Sequence, residues 1–204
     1  MEKNRLEAFS DGVLAIIITI MVLDLKVPQP TEQLPHPDAL AALKPLLPVF
    51  LTYVLSFIYL GIYWNNHHHL LKAARRVNGA MMWANLHLLF RLSLFPFVTG
   101  WMGENHFTTA PTAVYGAVLL LAAIAYFILQ NVIIADQGRD SKLAKAIGKD
   151  WKGKLSPVLY ATGIALAFFQ PWISCAIYLA VALMWLVPDR RIERALEESQ
   201  SSEA

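Results

Sequence analysis

The chain has 204 residues, 56% of them hydrophobic and only 16% charged, with a mean hydropathy of +0.45. Soluble globular domains carry about 25% charged residues, so this composition excludes an ordinary soluble domain. A net charge of +2, held in clusters between apolar runs, excludes a nucleic-acid-binding face, and a single cysteine, Cys175, excludes an intrachain disulfide.

A bilayer core about 30 Å thick needs about 20 mostly apolar helical residues. Several stretches meet that length, and the sequence predicts an all-α integral membrane protein of six transmembrane helices in a single domain, residues 1–204. Helix one is expected over residues 5–26. It is too long for a signal-peptide core, and the following Asp24-Leu25-Lys26-Val27-Pro28 has no small-residue cleavage site, so it reads as a retained helix. A loop carrying Pro28, Pro30, Pro35 and Pro37 leads to helix two, residues 43–66, interrupted early by Pro45 and Pro48. A polar segment from His67-His68-His69 to Asn78 precedes helix three, residues 79–101. Helix four covers 111–135, and a basic linker runs from Asp136 to Lys154. Helices five and six, 155–169 and 173–187, form a short hairpin turning at Gln170-Pro171, with Ala161, Gly163, Ala165 and Ala167 allowing close backbone approach. The tail, 188–204, is polar.

Orientation follows from the basic residues, which collect on the cytoplasmic side. With the amino terminus inside, fourteen of the seventeen Lys and Arg fall inside, Lys26 and Lys44 fall outside, and Arg91 lies within helix three. The expectation is a multi-pass cell-membrane protein with both termini in the cytoplasm.

Helix one is the most informative element. Ser10 and Asp11 sit about two turns into an otherwise apolar helix, where an ionisable group is costly unless partnered. At 100° per residue Phe9, Val13, Ile16, Ile20 and Leu23 share an arc of about 80°. Asp11 falls on the other side and reads as structural. Partners at matching depth are Trp64, His67 and His68 at the inner end of helix two, and Asn85 and His87 in helix three. A layer of Arg5, Ser10, Asp11, Trp64, His67, His68 and Asn85 would satisfy these groups and hold helix one rigidly. Thr19, about 60° from Ile16, either meets the stripe's edge or bonds back to the Ala15 carbonyl. Asp24 is either part of an acidic ring at an outer mouth or a solvated carboxylate near Lys26.

Arg5-x-x-x-Phe9-Ser10-Asp11, followed by Ile16, Thr19 and Leu23, resembles the signature of the endosomal and lysosomal potassium channel family, transmembrane protein 175 type. The Trp64 and histidine end of helix two and the stretch from Asn85 to Pro96-Phe97 fit the same family. The resemblance implies a homotetramer with the first helices around a central pore, permeating potassium, with no cofactor. It implies a hydrophobic constriction in place of a carbonyl filter, with Ile16 as the narrowest ring, Ile20 and Leu23 as further rings, and Thr19 assisting selectivity. The chain has no Thr-Val-Gly-Tyr-Gly segment of the kind that builds a carbonyl cage.

Other constellations carry less. Neighbouring histidines on a helix point apart, and no matching ligand set accompanies His67-His68-His69, so no metal site is expected; one or two of these histidines could instead titrate and bias gating. Arg91 alone is no voltage sensor and is expected to bond carbonyls or line a watery crevice. No nucleophile and base stand at useful spacing, so no enzymatic activity is expected. A secondary transporter of a cation or proton is the alternative function, against which helix one's lack of a Gly or Pro break weighs.

Overall fold

The computed structural model describes residues 2–27, 41–74, 76–138 and 151–186. Most of the proline-rich loop, most of the basic linker and the tail 188–204 lie outside the described residues. Seven α-helices are described: α1 Lys3–Ile20, α2 Leu47–Ala73, α3 Gly79–Leu92, α4 Phe95–Glu104, α5 Thr109–Gln137, α6 Trp151–Ala167 and α7 Pro171–Leu186. Short 3₁₀ turns extend α1 through Met21–Asp24 and precede α2 over Ala41–Leu46. No strand occurs among the described residues.

Four continuous helical stretches are long and apolar enough to cross a bilayer: Lys3–Asp24, Leu43–Ala73, Gly79–Glu104 and Thr109–Gln137. The hairpin of α6 and α7 is shorter, 17 and 16 residues, or about 25 Å each. Two boundaries differ from the sequence expectation. Helix two continues through the histidines to Ala73, because His67, Leu70 and Leu71 keep the buried phase of Thr52, Ser56 and Tyr59. Helix three is broken at Ser93-Leu94. Pro96, in the first turn of α4, has no N–H to offer the Leu92 carbonyl, and its ring crowds that carbonyl.

The bundle divides into two packed groups. α1 lies against α2, α3 and α4; α5 lies against α3, α6 and α7. One core runs through both, from Leu14, Met21 and Leu88 to Phe95, Tyr115, Leu119 and Tyr178. Close backbone approach fixes the joints. A methyl on Gly103 of α4 would meet the Val49 Cα of α2 at 2.6 Å, and Gly116 and Gly163 leave room for the Tyr178 ring. Buried hydroxyls tie the helices across this core. Ser56 shares bonds with Thr99 at 2.6 Å and Tyr115 at 2.9 Å, and Tyr59 donates to the Tyr178 carbonyl at 2.6 Å. These hydroxyls are thus met where no water could meet them.

Candidate ion pathway

α1 presents two faces. Leu6, Ser10, Leu14, Ile17 and Met21, at spacings of three and four, are buried against the other helices. The opposite face is bare within the subunit: Ile16 is 65% exposed and Leu23 72%, with Phe9 and Ile20 about half exposed. The structure therefore places Phe9, Ile16, Ile20 and Leu23 together on the uncovered side. Val13, from the same predicted arc, leans instead onto the core. Thr19 is exposed, and its hydroxyl donates to the Ala15 carbonyl at 2.8 Å, with the Ile16 carbonyl at 3.2 Å. The backbone bond and the outward position coexist, since a hydroxyl that donates inward keeps its lone pairs free.

A polar layer crosses the inner part of the bundle. The Asn85 amide donates to Ser10 Oγ at 2.9 Å, and Ser10 donates to the Leu6 carbonyl at 2.8 Å. Asn85 Oδ1 is then left to accept from His67 Nε2 at 2.6 Å, which fixes the proton on that ring nitrogen. Ser10 and Asn85 are fully buried and His67 nearly so. Beside this chain, Trp64 donates its indole N–H to Asp11 Oδ1 at 3.0 Å, and His68 stacks on Trp64 at 6.0 Å. Three helices are thus fastened through Ser10, Asp11, Trp64, His67 and Asn85, with His68 joining by its ring alone.

Arg5 stands outside this layer, contrary to expectation. It is exposed and bonds none of the other described residues, because its helical phase is that of Ile16 rather than Ser10. Lys3 occupies the role instead, donating to the Lys72 carbonyl at 2.7 Å and lying 3.9 Å from Glu7. Lys3 was not among the predicted residues; its phase beside Ser10 was the available signal. Asp24 is also turned away from the exposed stripe. Its carboxylate lies over Gly100 of α4, so close that a methyl there would meet Oδ2 at 3.0 Å. Just beyond, Lys26 donates to Glu104 at 3.0 Å, and this bond holds the ammonium above the usual lysine range. Arg91 finds neither carbonyl nor acid. Its Nε donates to His87 one turn back at 3.2 Å, and its guanidinium lies over the Phe90 ring, 5.3 Å from the centroid. Among the described residues no three His, Cys, Asp or Glu side chains gather as a metal site.

Residues 5–96 match the family described as endosomal/lysosomal potassium channel TMEM175. A Chryseobacterium protein named a potassium channel is 56% identical over 98% of this chain and 100% of its own length. The chain belongs to the TMEM175 family. A Chamaesiphon minutus protein named a potassium channel is 32% identical over 89% of this chain and 92% of the relative. The crystal structure of a lysosomal potassium-selective channel TMEM175 homologue from the same organism superposes with a TM-score of 0.79 at 28% identity, covering 92% of this chain and 97% of that one. The family match spans the first two membrane crossings and most of the third, which carry the polar layer and the bare stripe. The full-length relatives extend the kinship through the α6–α7 hairpin. This TMEM175 chain is a multi-pass membrane protein of an ion-channel family.

Proposed function

We propose that four copies of this chain surround a central pore that passes potassium, lined by the bare face of α1. One observation carries the reading: the Ile16, Ile20 and Leu23 face is left uncovered by the described residues, while Ser10 and Asp11 are engaged on the other side of α1. The relatives named potassium channels support the choice of ion. Ile16, mid-helix and the second most exposed of the stripe, forms the narrowest ring; Ile20 and Leu23 form wider rings toward the outer side. Branched aliphatic rings gate by dewetting when narrow. When slightly wider they pass the cation that sheds water most cheaply, and potassium sheds water more readily than sodium. Thr19 lends an oxygen beside the constriction. Asp24, turned to Gly100, contributes to the outer mouth only through its field. Both termini lie in the cytoplasm, as the basic residues require, and the pore needs no cofactor beyond the permeating ion.

The test is ion flux in proteoliposomes. Wild type takes up potassium down its gradient with no second ion present, and Ile16→Asn, which wets the ring, lowers the potassium-to-sodium ratio by about tenfold, the equivalent of about 1.4 kcal/mol. Unchanged permeation in Ile16→Asn rejects the constriction. Uptake that depends on a coupled ion rejects the channel in favour of a transporter.

A further inference from the structure

The side of α2 turned away from α1 borders a second space. A cavity lies between α2, α5, α6 and α7, walled by aromatic rings including Tyr63, Tyr126, Phe127 and Trp185, and bearing Gln130 and Lys154. It is built from the second halves of α2 and α5, the start of α6 and the end of α7. Under the orientation proposed above, all four helix ends belong to the inner leaflet.

Two polar side chains that line this cavity make no hydrogen bond to another of the described residues. Gln130 is only 7% exposed, yet its side-chain amide bonds no other group among the described residues. Tyr63, half-buried on α2 with its ring against Phe95 and Tyr126, has a hydroxyl that likewise bonds no other described residue. The neighbouring hydroxyls Ser56, Thr99 and Tyr115 pair with one another inside the bundle, whereas Gln130 and Tyr63 line the cavity and are left to bond what occupies it. Lys154 places an exposed cation at the same cavity. Aromatic walls, two hydrogen-bonding groups and a flanking cation form an ordered sequence, apolar, polar and cationic, that matches an acyl chain, an ester and an anionic head group.

We propose that this cavity binds an anionic phospholipid of the inner leaflet. One acyl chain lies between the aromatic rings, ester oxygens accept from Gln130 and Tyr63, and the phosphate sits at Lys154. The occupant braces α2 from behind. Tyr63 and Asn66, on the cavity, alternate along the helix with Trp64 and His67, which hold α1. On the channel reading, lipid occupancy therefore sets how firmly α1 is fastened. The same carboxylate-or-phosphate chemistry is offered by a free fatty acid, which the experiment separates.

The experiment is native mass spectrometry of the purified full-length channel, exchanged with phosphatidylglycerol, phosphatidylcholine or oleate. Phosphatidylglycerol is expected to be retained over phosphatidylcholine by about fivefold, the effect of one lysine beside an anionic head group. Lys154→Gln, at an exposed side chain, brings that ratio to unity. Ala123→Trp, which fills the cavity, removes retention of both lipids; if that variant fails to assemble, Lys154→Gln alone decides. Equal retention of the two phospholipids by wild type, or an unchanged ratio in Lys154→Gln, overturns the proposal. Retention of oleate in preference to phosphatidylglycerol overturns the phospholipid assignment. Lipid retention is read without any ion flux, so its failure is distinct from failure of the channel reading.

Discussion

The inner and outer ends of the first span are fastened to their neighbours by opposite means. At the inner end, Ser10, Asn85 and His67 form a buried chain with every bond internal. At the outer end, Lys26 meets Glu104 in an exposed ion pair, its side chain 75% accessible, and Asp24 rests on a glycine. A buried network has no water to fall back on, so breaking it leaves groups stranded. An exposed pair exchanges one solvated state for another. The inner end is therefore the fixed point of α1, and the outer end, already loosened into a 3₁₀ turn, is the part free to adjust.

The largest effect that this contrast predicts is at Asn85. Asn85→Ala removes two bonds at once and strands the His67 N–H; destabilisation of about 2–4 kcal/mol is expected. Loss of the assembled species on heating, followed by size-exclusion chromatography, measures it. A variant as stable as wild type would show that the layer is decorative.

Much of this end was legible from residue spacing. The buried phase of Leu6, Ser10, Leu14, Ile17 and Met21 and the bare phase of Ile16 and Leu23 both follow from 3.6 residues per turn, and Asn85 and His67 were readable as partners because chain direction fixes depth. What escaped depended on non-local shape. Asp24 turns to α4 because Gly100 leaves a hollow there, and no pattern within helix one announces a glycine 76 positions away. Helix two was cut short because three histidines look like a boundary, although Leu70 and Leu71 behind them keep the core phase. Pro96 was visible, but whether a proline kinks one helix or begins another depends on the turn before it. The His87–Arg91 contact, in contrast, was available from i, i+4 spacing alone.

An intermediate effect is expected beside the layer rather than within it. Trp64→Phe keeps an aromatic ring to stack on His68 but removes the donor to Asp11. A loss of about 1–2 kcal/mol follows from one such bond. The same heating assay reports it, and adding Asn85→Ala in a double-mutant cycle sharpens the comparison. Because Ser10 and Asp11 are adjacent on one helix, the two losses should not add, and the coupling is expected at about 0.5 kcal/mol or more. Full additivity would mean that the Trp64–Asp11 bond and the Ser10 chain are separate fastenings.

The smallest effect belongs to the outer end. Lys26→Gln breaks the bond to Glu104 and removes a positive charge that offsets the nearby Asp24 and Glu104 carboxylates. Exposure makes the stability change unmeasurable in a thermal scan, at low or high salt. Its pH behaviour follows from sign. The folded-state ammonium is held above its ordinary range, so what this ammonium contributes is present throughout neutral pH and fades as alkaline conditions deprotonate Lys26. Wild type and Lys26→Gln should therefore share one melting temperature at neutral pH. They should differ in conduction. With the lysine gone the two carboxylates present uncompensated negative charge at the outer entrance, and inward potassium flux at low salt should rise modestly, an increase that high salt abolishes. A Lys26→Gln channel as destabilised as Asn85→Ala would mean that the outer end, and not the inner, fastens the first helix.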